Sequence, residues 1–154
     1  MSSEDIQESY SRYAKWSDRF DRLNRLLTGR YRRRRFSNAK GRVLDVACGT
    51  GTNFRYLPES VELVGIDISE EMVGYARQEL DRLDREGALF HMDAQSLEFE
   101  SDSFDTVISS LSTCTFPDPI TALQEMERVC SPTGRILLVE HGRSDVGLIA
   151  RYQE

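Results

Sequence analysis

The stretch Val43-Leu44-Asp45-Val46-Ala47-Cys48-Gly49-Thr50-Gly51 constrains this chain more than any other. Near-continuous apolar residues run straight into a pair of glycines. A strand that is apolar at successive positions is covered on both faces, as strands of a parallel sheet are. Glycines directly after it suit a tight turn whose backbone approaches a ligand closely. The pattern recurs: residues 42–47, 62–66, 88–92, 106–109 and 135–139 read as five strands, with helical stretches among them. Ser69 caps one helix, in which Met72, Val73, Ala76, Leu80 and Leu83 line one side. Pro119 opens another, with Ala122, Leu123, Met126 and Val129 inward and Pro132, Thr133 and Gly134 as its stop. Alternating β and α units imply an α/β fold, a parallel sheet with right-handed crossovers and both faces covered.

A helical region precedes the first strand. Ile6, Tyr10, Tyr13, Trp16, Phe20, Leu23 and Leu27 recur at steps of three and four, the apolar stripe of one amphipathic helix. Ser2 or Ser3 is placed to cap it and Gly29 to end it. The stripe reads as a lid docked on the sheet. The division expected is a helical lid over residues 1–40 and a ligand-binding unit over 41–154, together one structural domain.

Composition narrows the classes. Twenty basic and twenty-six acidic residues among 154 give a net charge of −6, against bulk nucleic-acid binding. Cys48, Cys114 and Cys130 form no C-x-x-C pair, so no zinc site or disulfide framework is expected, and they suit reduced thiols in the cytoplasm. No apolar run approaches the roughly 18 residues of a membrane span, and the polar N-terminus is unlike a secretory signal. Residues 30–35 hold five arginines, Arg30, Arg32, Arg33, Arg34 and Arg35, around Tyr31, leading to a turn at Gly41. Such a run is ordinarily a solvated helix face. In an acidic chain it also suits an anionic contact, such as phospholipid headgroups at a membrane surface.

Ligands of an open parallel sheet sit beyond the carboxyl ends of the strands. There Gly49 and Gly51 follow the first strand, and Asp67 ends the second, eighteen residues beyond Gly49. A carboxylate in that position can accept from both hydroxyls of a ribose, so a nucleoside-like ligand is expected. A dinucleotide is disfavoured, because the G-x-G-x-x-G pattern needs glycine where Phe54 stands. Asp45 lies inside an apolar strand, where an unpaired carboxylate is costly, so a ligand or a backbone amide should partner it.

These residues resemble the glycine-rich signature of the class I S-adenosylmethionine-dependent methyltransferases. The likeness continues through Gly65-Ile66-Asp67-Ile68-Ser69 with Met72, Met92-Asp93-Ala94, Phe104-Asp105-Thr106-Val107-Ile108, and residues 131–137. The opening helix, with Asn24-Arg25-Leu26-Leu27-Thr28-Gly29, is similar to quinone-biosynthesis C-methyltransferases. The stretches 114–119 and 140–144 look more like small-molecule and phospholipid N-methyltransferases. The resemblance implies a Rossmann-like sheet in strand order 3-2-1-4-5, and S-adenosylmethionine as cofactor with S-adenosylhomocysteine as product. It implies that Gly49 and Gly51 line the methionine part and that Asp45 helps hold its amino end. Asp67 takes the ribose hydroxyls, Ile68 and Met72 sandwich the adenine, and Asp93 and Ala94 meet its edge. Ser109 and Ser110 face the sulfonium. Apart from the resemblance, Tyr13 or Tyr10 of the aromatic stripe is placed to close over that pocket, since an aromatic face suits a sulfonium cation.

Each residue has a plainer reading. Met72 fits a helix core, Asp93 fits a turn, and the aromatic stripe fits simple docking of the lid. His141, just after the fifth strand, is the best candidate base, with a hydrogen-bonded loop residue as its alternative; His91, inside a strand, suits a structural role. The family sheet ends in an antiparallel hairpin after the fifth strand, and only fourteen residues follow Glu140. The sequence is therefore expected to lack that hairpin, with residues 146–152, a homodimer or another chain covering the strand edge. Two functions follow: a methyltransferase for a small-molecule or lipid-like acceptor, or a catalytically incomplete S-adenosylmethionine-binding module with a regulatory or partner-binding role.

Overall fold

The computed structural model describes residues 17–140. Five strands form one parallel sheet: β1 (Arg42–Val46), β2 (Glu62–Asp67), β3 (Ala88–His91), β4 (Phe104–Ser110) and β5 (Cys130–Val139). Their order is β3-β2-β1-β4-β5, as expected. Three helices flank them: α1 (Ser17–Phe36), α2 (Glu70–Arg82) and α3 (Pro119–Val129).

Strand alternation divides the core in two. Leu44, Val46, Val64, Ile66 and Val107 face one side and meet Ala122, Met126 and Val129 of α3. Val43, Leu63 and Ile108 face the other, with Ala76 and Leu80 of α2 and Phe36 of α1. Ser69 caps α2 as expected, its hydroxyl accepting the Met72 N–H, and ahead of Pro119 the Asp118 side chain accepts from Ile120 and Thr121 to cap α3.

Four expectations need correction. Gly29 does not end the first helix, which runs on to Phe36. A Cβ on Gly29 would stand 3.0 Å from the Tyr56 hydroxyl, so this glycine admits a close neighbour rather than a stop. Residues 30–35 are accordingly helical; Arg32 is buried, while its arginine neighbours are exposed. Leu23 and Leu27, read as part of the docking stripe, face solvent, and so does Leu123 of α3. Finally, Pro132, Thr133 and Gly134 belong to an irregular start of β5. Register jumps there from Phe104↔Cys130 to Thr106↔Arg135, and the helix has already ended at Val129.

The expected Ser2 or Ser3 cap, Tyr13 and the rest of the stripe before residue 17, His141, and the edge cover over 146–152 lie outside the described residues. Cys48, Cys114 and Cys130 are free thiols. No described helix is long and apolar enough to cross a membrane.

Candidate functional site

Strand order reverses between β1 and β4, and the backbone there adopts conformations rare for side-chain-bearing residues. Ala47 follows β1 at φ 55° and Leu111 follows β4 at φ 54°, both in the left-handed region. Gly49 and Gly51 follow at φ 55° and 82°. A Cβ on Gly51 would lie 2.5 Å from the Phe54 ring, so this position is filled by the protein itself. A Cβ on Gly49 would meet nothing within 4 Å. One glycine packs, and the other borders open space. The glycines lead into a 3₁₀ turn (Phe54–Tyr56) instead of an α-helix. Arg85 holds that turn in place, donating to the carbonyls of Phe54 at 2.8 Å, Leu57 at 2.9 Å and Pro58.

Asp67 stands at the end of β2 and is buried. Its Oδ2 accepts the Gly49 N–H at 2.8 Å and its Oδ1 accepts the Ser69 N–H at 2.9 Å. Burial pushes its pKa up, against these backbone bonds and the nearby His91, which lower it. The Ile68 backbone also lowers it, and a carboxylate with about four acceptor sites still has room for a further donor.

Asp45, in mid-β1, is wholly buried, and desolvation pushes its carboxyl up to about 7. Within the protein its partner is a side-chain amide rather than a backbone one. The Asn53 side-chain amide donates to Oδ1 at 3.0 Å and Oδ2 at 3.1 Å, and Asn53 Oδ1 accepts the Ser110 hydroxyl at 3.0 Å. The buried Arg32 of α1 favours the charged form of Asp45, while Asp67 opposes it. The two carboxylates repel, and burial first, then both carboxylates, push the Cys48 thiol up. A cation between them would relieve that repulsion.

The remaining predicted residues divide. Ile68 is half-buried, and Met72 is buried yet belongs to neither apolar cluster. Asp93 accepts the Gln95 N–H at 2.9 Å, the geometry of a turn residue, and Ala94 is core. Ser109 is buried, donates to the Val46 carbonyl at 2.9 Å and bonds to Ser112, so its hydroxyl is engaged within the protein. Ser110 is less buried and reaches the Asn53 group. His91 is exposed and donates from Nε2 to the Ile68 carbonyl at 2.8 Å.

Sequence reasoning passed over Asn53 and Glu140. The Glu140 carboxylate accepts from the N–H groups of Ser112 at 3.4 Å and Thr113 at 3.3 Å, tying the end of β5 to the loop after β4. The signal for Asn53 was Asp45 itself, since a buried carboxylate demands a donor nearby. Among the described residues no cluster of His, Cys, Asp and Glu is arranged to hold a metal ion.

Residues 44–138, which contain the glycine turn and both carboxylates, match the family described as "Methyltransferase domain". This chain belongs to the class I S-adenosylmethionine-dependent methyltransferases. Across its full length the methyltransferase is 32% identical to phosphatidylethanolamine N-methyltransferase of Cereibacter sphaeroides, covering 76% of that protein. Over 71% of its length it is 39% identical to demethylmenaquinone methyltransferase of Clavibacter sepedonicus, and spans 45% of that protein. The YcgJ protein of Bacillus subtilis superimposes with a TM-score of 0.68 at 29% identity, over 81% of this chain and 54% of that one. The methyltransferase thus spans about half the length of two of these relatives.

The site fits the family's cofactor, S-adenosylmethionine. Open space beside Gly49 would be narrowed by any side chain there, and two buried carboxylates suit a ligand carrying an ammonium and a sulfonium.

Proposed function

We propose that this methyltransferase moves a methyl group from S-adenosylmethionine to a lipid-like or quinone-like acceptor. When bound, the cofactor supplies a methyl group already activated on sulfonium. What remains for the protein is to bind, to orient and to exclude water.

In this reading Asp67 accepts the ribose hydroxyls through the acceptor sites left by its backbone amides. Gly49 and Gly51 carry the chain past the methionine part. Asp45, fixed by Asn53, attracts the amino end, with Ser110 beside it. Ile68 and Met72 flank the adenine, and Asp93 and Ala94 form the loop at its edge. Ser109 acts from behind, holding the Val46 carbonyl where β1 enters the turn. Tyr13 as a cover and His141 as a base belong to the same reading.

The observation that carries the proposal is the joining of Asp67 to the Gly49 amide next to open space. The acceptor class is supported by relatives named for phosphatidylethanolamine and demethylmenaquinone. Peripheral contact with a membrane and a homodimer are part of the proposal, as settings in which an amphiphilic acceptor is reached.

The test is transfer of labelled methyl from S-adenosylmethionine to a bacterial extract, followed by partition between water and organic solvent. Label in the organic phase is expected. Label confined to water-soluble products would overturn the acceptor class.

A further inference from the structure

Two successive carbonyls leave the end of β2, and the end of β3 takes up both. The Asp67 carbonyl accepts the Met92 N–H at 2.9 Å, where the ladder between the two strands closes on the pair Asp67↔His91. The Ile68 carbonyl lies one residue further on, past the last pair, and the His91 ring meets it at 2.8 Å. A carbonyl oxygen only accepts, so His91 Nε2 carries a proton and donates. The imidazole thus continues the bonding of the sheet by one residue beyond its strands.

The other end of the same peptide group gives this bond its consequence. The Ile68 carbonyl and the Ser69 N–H belong to one planar unit, and across a trans peptide they point in opposite directions. The Ser69 N–H donates to Asp67 Oδ1 at 2.9 Å. One rigid plane is therefore pinned at its carbonyl by His91 and at its amide by the Asp67 carboxylate. Rotating that plane away from His91 would carry the N–H off Oδ1. Bonds in series also polarise one another, so a donor on the carbonyl makes the amide a stronger donor. Asp67 and Ser69 are buried, whereas His91 is exposed. The ring stands at the rim and reaches the carboxylate through the backbone.

We propose that His91 is a positioning residue for the cofactor, fixing through the Ile68–Ser69 peptide the orientation in which Asp67 receives the ribose. Burial raises the Asp67 pKa, and the charge of His91 is among the influences that lower it, so the same ring favours the ionised acceptor. Neither effect needs the ring to touch the ligand. The pairing is hidden in the sequence, because twenty-three residues separate His91 from Ile68.

The inference rests on the reading of Asp67 as the ribose acceptor, and its test tells the two apart. Calorimetry with S-adenosylhomocysteine is run on the whole chain and on His91→Ala, His91→Gln and His91→Asn, with circular dichroism to confirm the fold. A glutamine amide nitrogen sits at about the same reach from the backbone as imidazole Nε2, whereas that of asparagine falls short. His91→Ala and His91→Asn should each weaken binding about fivefold, the worth of one hydrogen bond, and His91→Gln should stay within about twofold of the parent. In an Asp67→Ala background, His91→Ala should change affinity by less than about twofold, because the group it orients is gone. Equal losses for the alanine and glutamine variants, or the same loss with and without Asp67, would overturn the positioning role. So would a His91→Ala variant that binds as the parent does while Asp67→Ala loses affinity, and the ribose reading would then stand alone. Parental affinity in Asp67→Ala itself would remove that reading and the inference with it.

Discussion

The Gly49 N–H donates to Asp67 Oδ2 at 2.8 Å, so the turn after β1 and the carboxylate that ends β2 form one unit. The Ser69 N–H holds the other oxygen at 2.9 Å, and neither oxygen can swing away. Asp67→Ala should therefore remove two charge-assisted bonds to a ribose. At about 1.5 kcal/mol or more each, that is roughly a hundredfold loss of affinity for S-adenosylmethionine by calorimetry. Asp67→Asn, which keeps one acceptor for the backbone, should retain the fold and still lose much of the affinity. Unchanged affinity in both variants would remove the ribose role.

Asp45 should make stability fall as pH rises. Its carboxyl is pushed up to about 7 by burial, while the unfolded chain titrates near about 4. Between those values the folded chain binds more protons than the unfolded one. Asp45 therefore favours folding at low pH, and this contribution is lost as pH climbs through about 7. Asp45→Asn should flatten that dependence, and urea unfolding across the window would read it. The same variant should bind S-adenosylmethionine about tenfold or more weakly, because an ammonium then loses its ionic partner. A pH profile identical to the parent's would show that Asp45 is not the titrating group.

The two glycines should fail differently. Both sit at positive φ, so alanine costs about 1 kcal/mol at either position. Gly51→Ala also drives a methyl group to 2.5 Å from the Phe54 ring, with Glu79 Cβ at 3.3 Å, and should lose about 3 kcal/mol or more of stability. Gly49→Ala meets open space, so its stability loss stays near the backbone cost. Its effect falls on the ligand, whose methionine part would meet the methyl. Thermal melts with and without S-adenosylhomocysteine separate the two patterns: the Gly51 variant melts early, whereas the Gly49 variant loses its ligand-induced shift.

The sheet could be read from the sequence because its signals are local. Apolar runs such as Val43-Leu44 and Val64 to Ile66 are bounded by glycines, Ser69 and Pro119. The orientation of α1 could not be read, because spacing shows that a helix has an apolar face but not what covers it. Leu23 and Leu27 continue the same steps as Phe20, yet they face solvent. Likewise nothing in a run of five arginines marks Arg32 as the buried one; that follows from its lying opposite the leucines, next to the strand that carries Asp45. In the site, the ends of β1 and β2 were legible through the glycine pair and Asp67. Asn53 was not, because its contact with Asp45 and Ser110 depends on the 3₁₀ turn that follows the glycines, which no local spacing marks.

Asn53 offers the sharpest check on that inner network, because its value depends on the charge of Asp45. Its amide donates to both carboxylate oxygens and lowers the Asp45 pKa, so it stabilises the ionised form most. Asn53→Ala should leave the carboxyl buried with its main donors gone and push its pKa higher still. Where Asp45 is protonated, about two units below its value of about 7, the loss should be near 1 kcal/mol, that of a neutral hydrogen bond. About two units above that value, an ionised carboxylate left without the amide should raise the loss to about 2–3 kcal/mol. Urea unfolding of parent and variant at both conditions measures the difference. Equal losses would mean that Asn53 acts through packing alone, and that Asp45 takes its charge stabilisation from Arg32.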